Sequence, residues 1–406
     1  MVVLSGADLV LPDRILSSGT LVIDDGRIVD IRADSVGTLS HHYIVPGFID
    51  VHVHGVEGFD TLDGTGAIAA IADRLPRYGV TAFCPTTVAS GPAALRSALA
   101  QIRDLREVSV GRRARVLPAH LESNFINLAY RGAQPSACLR SPRAALGMPV
   151  QGPASVPGAD FVDQTNDFTA ADILREIERA APDVGIVTLA PELDGGLDLI
   201  GWLTARGHRV SLGHSAATYE LAVAAIAAGA RHATHLFNRM PPFEHRAPGL
   251  VGAILQAEDI AAELICDGYH VHPAMCRLAI TAKGVDGVMA ITDGTGGAGL
   301  PVGSTAHLGG RRIRVSEHGA VLDDGTLAGS TLTMDRAFKA IVARFEFSIV
   351  EAATLCSMTP ARQLGLAGFG FIAEGAFADL VVLDRGFRVV RTFIDGEEIY
   401  RNINGA

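Results

Sequence analysis

The sequence predicts an α/β protein in which a (β/α)8 TIM barrel is joined to a small β-sandwich built from both chain ends. Three observations carry this. Eight apolar strand candidates alternate with amphipathic, helix-like stretches through the middle of the chain, the mark of a parallel β/α architecture. Both ends read instead as short strands and tight turns. Metal-ligand or acid/base residues close five of the eight central strands, and barrel enzymes do their chemistry at that end.

In chain order, Thr20–Asp24, the Asp25-Gly26 pair and Arg27–Asp30 make a hairpin signal. The style returns at Ala378–Asp384, Val389–Ile394, Asp395-Gly396 and Glu397–Tyr400. Residues 1–45 with 368–406 are therefore expected to form the β-sandwich, and 46–367 the barrel. The barrel strands are expected at Val45–His54, Val80–Thr87, Arg115–Glu122, Gly185–Pro191, Arg209–His214, His232–Asn238, Ala261–Asp267 and Gly287–Asp293. The longest weakly periodic connection is 123–168, with Gly and Pro clustered near 147–158, and loops that long tend to be functional. An open doubly wound sheet is the alternative. It usually carries a Gly-rich phosphate loop after its first strand, where this chain has His52-Val53-His54.

Composition narrows the class. The 406 residues are 48% hydrophobic, enough to fill a large core, and the formal charge of −10 argues against a general nucleic-acid binder. No apolar run is long enough to span a membrane, and the first residues lack a charged region ahead of an apolar one, so a soluble, unexported protein is expected. The five cysteines, Cys84, Cys138, Cys266, Cys276 and Cys356, have no short paired spacing; reduced thiols in a cytoplasm fit that pattern.

His52 and His54 lie one residue apart on a strand, so both side chains point the same way and can grip one ion. Glu122, His214, His235 and Asp293 end other strands at the same barrel face. Any one of them could be a cap, a turn residue or a satisfied core histidine, but the set argues for a metal site. Gly213 beside His214 allows close approach. His41, His42, His208, His307 and His318 fall in turns or outer strands and are expected to be solvated. Nitrogen and oxygen donors suit Zn²⁺, Fe²⁺ or Mn²⁺, with one or two ions per subunit left open. Such an ion lowers the pKa of water and polarises a carbonyl, and Asp293 is placed to move the proton, which implies hydrolysis of an amide or related C–N bond. Lysine occurs only at 283 and 339, so no carbamylated lysine can bridge two metals at a strand end.

Nine motifs together resemble the N-acetylglucosamine-6-phosphate deacetylases of the amidohydrolase superfamily: PGFIDVHVHG (46–55), HLES (120–123), SLGHSAAT (211–218), THLFNRM (234–240), HRAPGL (245–250), DGYHVHP (267–273), TDG (292–294), AGLPVG (298–303) and GTLAGSTLTM (325–334). The resemblance implies that Glu122, His214 and His235 form the main metal site. It places His52 and His54, with Glu122 and Asp293, at a second site retained in some members. Asp293 is then the general base and acid, Asn238, Arg246 and His270 hold the sugar phosphate, and the protein is a homodimer with its active site near the subunit interface. Four departures stand out. Ser123-Asn124 replaces the usual Gly-Pro, Gln134 a histidine that contacts the acyl carbonyl, Arg239 an alanine, and Gly294-Thr295-Gly296 an Ala-Met-type sequence.

Two other functions fit the sequence. One is the same chemistry on a different N-acyl substrate, another amino-sugar phosphate or an N-acyl amino acid, which Gln134, Arg239 and Ser123-Asn124 motivate. The other is a non-catalytic metal-binding scaffold, against which the intact ligand set speaks.

Overall fold

The computed structural model describes residues 1–33, 37–108, 111–149 and 167–403. Eight strands run as one parallel ladder in chain order: Phe48–Val53, Val80–Thr87, Ala119–Glu122, Val184–Leu189, Arg209–Leu212, His232–Ala233, Ala261–Ile265 and Val288–Ile291. The chain after the eighth returns to the first. The Asp293 N–H donates to His52 O at 2.9 Å, and the His54 N–H to Gly294 O at 2.8 Å. Asp50, wholly buried, reinforces this seam by accepting from Thr292 Oγ1 at 2.6 Å. Every residue of Phe48–Val53 and Val80–Thr87 is buried, as strands between a barrel interior and an outer helix layer must be. The helices supply matching stripes. Pro92–Glu107 buries Leu95, Ala98, Leu99 and Ile102, one face of a 3.6-residue repeat. Ala170–Arg179 is started by a reciprocal capping box between Thr169 and Asp172.

All eight expected barrel strands are present, with different ends. The first is broken at Gly47: Tyr43–Pro46 joins the terminal sheet and Phe48–Val53 the barrel. A side chain at Gly47 would run into Thr81, so only glycine lets the two sheets meet there. The third divides into Arg115–Val116 and Ala119–Glu122 around Pro118, which has no N–H for the ladder. The sixth pairs only through His232–Ala233, because the chain then turns with positive φ at His235, Phe237 and Arg239. Of the long connection at 123–168, residues 150–166 lie outside the described residues, and most of the Gly- and Pro-rich stretch with them.

The two termini form one seven-stranded sheet in the order Glu397–Arg401, Val389–Ile394, Leu380–Leu383, Tyr43–Pro46, Val2–Val10, Ile15–Asp24, Arg27–Arg32. Side-chain alternation gives it two apolar faces. Leu380, Val382, Ile44 and Leu9 join a core with Leu21, Ile28 and Phe393, while Val381, Leu383, Val45 and Val10 belong to the barrel's core. The expected sandwich is thus a single sheet packed on its own core on one side and on the barrel on the other. A further three-stranded antiparallel sheet, Thr305–Leu308, Arg311–Ser316 and Gly319–Leu322, follows the eighth barrel strand. It was not foreseen; its Ala306, Leu308, Ile313 and Ala320 pack on Val88 and Ala328.

Arg115 ties the barrel to the terminal sheet. Its Nε lies 3.1 Å from Asp379 Oδ2, its Nη2 also pairs with Asp395, and the Asp379 side chain is 5% exposed. Removing one partner of a buried pair strands the other charge. Arg115→Ala should therefore cost about 3–5 kcal/mol of stability, read as a lower urea midpoint; an unchanged midpoint would mean that the pair holds nothing together.

Candidate metal and active site

The predicted ligands converge at one end of the barrel. His52 and His54 leave the first strand, Glu122 ends the third, and His214, His235 and Asp293 follow the fifth, sixth and eighth. The last three all have positive φ, 49°, 29° and 48°, in a region that residues with a Cβ rarely enter. Surrounding backbone bonds hold them there: Asn127 N–H to His214 O, Asn238 N–H to His235 O and Ser330 N–H to Asp293 O. A Cβ on Gly213 would come within 2.7 Å of the Thr234 Cβ, so the small residue beside His214 does permit close approach.

Glu122 is the centre. Its Oε1 lies 2.7 Å from His214 Nε2 and 2.9 Å from His235 Nε2, and those two nitrogens are 3.0 Å apart. Its Oε2 faces His54 Nε2 at 3.5 Å. Beside it, His52 Nε2, His54 Nε2 and Asp293 Oδ1 form a triangle with edges of 3.2, 3.4 and 3.3 Å. Tetrahedral coordination with bonds of about 2.05 Å puts ligand atoms about 3.3 Å apart, so this triangle has the size of a metal site's face.

Tautomers point the same way. His214 Nδ1 donates to the Tyr130 carbonyl at 2.8 Å, and His52 Nδ1 to the Glu263 carboxylate at 2.9 Å. Neutral imidazoles so held turn a bare lone pair, Nε2, toward one another and toward carboxylate oxygens. Lone pairs in such contact repel unless a cation lies between them. The Nδ1 atoms of His54 and His235 are buried without a partner. Burial pushes the His52 imidazole down to about 3 against the pull of Asp293 and Glu122. Burial acts the same way on His54, but Asp293 and Glu122 outweigh it and raise that group to about 9. Burial would raise Glu122 too, yet His214 and His235 hold it well below the carboxylate range. The buried carboxylates draw positive charge onto His54 and His235, and a divalent ion would supply that charge in its place and leave the ring nitrogens free to ligate it. Glu122 with His214 and His235, and Glu122 with His52 and His54, are both of metal-binding size.

A cleft opens over this cluster, lined by His54, Glu122, His214, His235 and Asp293 together with Gln134, Asn238, Arg239 and His270. Leu308 of the three-stranded sheet and Gly329 also line it.

An amidohydrolase family model matches residues 43–399. The chain belongs to the amidohydrolase family. It is 37% identical over 400 residues to the mouse N-acetylglucosamine-6-phosphate deacetylase, covering 96% of this chain and 90% of that protein. It is 32% identical over 401 residues to the Bacillus subtilis (strain 168) enzyme of that name, covering 96% and 94%. Among solved structures, the Thermotoga maritima N-acetylglucosamine-6-phosphate deacetylase superposes with a TM-score of 0.83 at 31% identity, covering 99% of this chain and 100% of that one. A Mycobacterium smegmatis variant in complex with N-acetyl-D-glucosamine-6-phosphate gives 0.84 at 30%, covering 98% of each chain. This amidohydrolase is therefore an enzyme that hydrolyses an amide.

The four departures separate once placed. Ser123 and Asn124 do not line the cleft. Ser123 Oγ donates to the Thr188 carbonyl and Asn124 Nδ2 to the Ser90 and Cys138 carbonyls, so both stitch the loop after strand three to its neighbours. Gly294 O takes the N–H groups of His54 and Gly55. Gln134 and Arg239 do face the cleft. Gln134 Oε1 accepts from Ala89 N–H at 2.7 Å, which turns its amide nitrogen to Glu122. His270 is held by Asp267 at 2.6 Å through Nδ1, and its buried Nε2 has no partner. Arg246 is exposed and outside the cleft lining.

Sequence reasoning missed Glu263, a wholly buried carboxylate pushed up to about 7 by burial, which orients His52 and accepts from His235 N–H. The signal was a charged residue inside the apolar strand Ala261–Ile265. His208 corrects an expectation: it is buried, with Nδ1 on Val184 O at 2.9 Å, because it starts a barrel strand rather than a surface turn. His120 also lies within ligating distance of His52 and Glu263, but its nitrogens are engaged by Val51 O and Thr188 Oγ1.

Outer-sphere carboxylates typically govern metal affinity by about 10- to 100-fold. Glu263→Gln should weaken metal binding by about that much, measured by chelator competition; unaltered affinity would remove Glu263 from the metal assembly.

Proposed function

We propose that this amidohydrolase is a metal-dependent deacetylase of amino-sugar 6-phosphates, converting N-acetylglucosamine 6-phosphate and water to glucosamine 6-phosphate and acetate. The observation that carries this is a buried imidazole and carboxylate cluster beneath a cleft that also presents Asn238, Arg239 and His270. The names of the mouse and B. subtilis relatives and the substrate held by the M. smegmatis neighbour support the same substrate.

Glu122, His214 and His235 would hold one divalent ion, and His52 and His54, with Glu122 and Asp293, a second. The donor set favours Zn²⁺ and also suits Fe²⁺ or Mn²⁺. When bound, such an ion polarises the acetyl carbonyl and makes water acidic enough to attack near neutral pH. Asp293 is the catalytic residue. It takes a proton from the attacking water and passes it to the amide nitrogen as the C–N bond breaks, leaving acetate and a free amine. Gln134 has one amide hydrogen on Glu122 and a second for the acetyl carbonyl. Asn238, Arg246 and His270 are the residues proposed to hold the sugar phosphate, with the His270 ring fixed by Asp267 through Nδ1. A homodimer with its active site near the subunit interface is part of the same proposal. Residues 1–45 with 368–406 are taken as one domain and 46–367 as the catalytic one. No helix among the described residues is long and apolar enough to cross a membrane, and the five free cysteines support a cytoplasmic location.

A second reading keeps the chemistry and changes the acyl compound, motivated by Gln134 and Arg239 in the cleft. Both readings require that chelation abolish activity and that added Zn²⁺ restore it. Asp293→Asn should keep the fold by circular dichroism and lower kcat by about 10²- to 10⁴-fold. Full turnover in that variant would overturn the role given to Asp293. A panel of N-acyl sugars, with and without phosphate, and N-acyl amino acids separates the two substrates.

A further inference from the structure

Arg239 is the one arginine or lysine among the described residues lining the cleft. Arg311, which donates through Nη2 to the lining residue Ala133, is itself outside the described cleft lining, and its Nε is buried without a partner. No described carboxylate or carbonyl holds the Arg239 guanidinium, while its backbone is fixed by the Ser215 N–H to Arg239 O bond and a φ of 52°. The side chain lies across Gly132, where an added Cβ would come within 2.5 Å of Arg239 Nε. A non-glycine residue in the left-handed region costs free energy that a turn tolerates where it sets a functional side chain. Asn238 precedes it, and His270, with its unpartnered Nε2, lines the same cleft.

We propose that Arg239 is a specificity-determining residue, the guanidinium with which a single chain takes the phosphate of its sugar-phosphate substrate. The inference rests on the sugar-phosphate reading above. A guanidinium presents paired donors that match two phosphate oxygens, and this unengaged fork lines the same cleft as Asn238 and His270. Arg246 is exposed and is not among the described residues lining the cleft. Discrimination between phosphorylated and unphosphorylated amides is thereby assigned to one of the positions where this chain departs from the pattern the resemblance implies.

The test is the ratio of kcat/KM for N-acetylglucosamine 6-phosphate to that for N-acetylglucosamine, measured on the metal-loaded enzyme. In Arg239→Ala the ratio should fall by about 10- to 100-fold, the usual scale of a hydrogen bond to a charged group. Most of the loss should lie in KM for the phosphorylated compound. Arg239→Lys, with a point charge in place of the fork, should fall between the two. Inorganic phosphate should inhibit the unmodified enzyme competitively and Arg239→Ala more weakly. A ratio unchanged in Arg239→Ala, including an equal loss on both compounds, overturns the inference and leaves the substrate reading standing. An unmodified enzyme that shows no preference for phosphate overturns both.

Discussion

A carboxylate sealed inside a barrel is the constraint around which this molecule is arranged. Glu122 is 3% exposed and touches two imidazoles through one oxygen. An ionised carboxylate cannot remain so buried without positive charge beside it. Two features answer that need: histidines delivered from other strands, and a cluster sized for divalent ions. The amidohydrolase chemistry uses the arrangement that solves this electrostatic problem.

The barrel supplies the precision. Parallel strands place successive chain segments side by side, so residues far apart in sequence arrive at one rim without long loops to order. His214, His235 and Asp293 then turn out of the ladder with positive φ, and backbone hydrogen bonds from three different loops keep them turned. The supporting residues are as buried as the ligands. Glu263 fixes the ring of His52, Asp50 closes the seam between the first and eighth strands, and Gln134 braces Glu122 against the Ala89 N–H.

Much of this was legible in the sequence because the period of the apolar pattern and the residue at each strand end are local properties. His52, His54, Glu122, His214, His235 and Asp293 could be named as a set once the strands were counted. Other features depend on contacts that no local pattern encodes. Glu263 sits mid-strand, and its role is visible only when His52, far away in sequence, lies beside it. Ser123 and Asn124 look like substrate contacts by their nearness to Glu122, yet Ser123 donates to the Thr188 carbonyl of a neighbouring strand and Asn124 to two loop carbonyls. The three-stranded sheet after residue 304 has ordinary strand patterning, but it lies past the eighth barrel strand and repeats neither the barrel's alternation nor the terminal strands. Strand ends were misjudged where proline, glycine or positive φ ended the ladder while the apolar pattern ran on, as at Pro118, Gly47 and His235.

The short passage through Gly47 joins two sheets with different histories in synthesis. Tyr43–Pro46 lies between Val2–Val10 on one side and Leu380–Leu383 on the other, and His52 follows within the next few residues. As the chain leaves the ribosome, the strand that carries the metal histidines is tethered to an edge whose partner is made only after the whole barrel. Until that last pairing forms, one rim of the terminal sheet stays open. The final strands of the chain therefore act as a latch, and the site's first strand gains its rigid mount only when the latch closes.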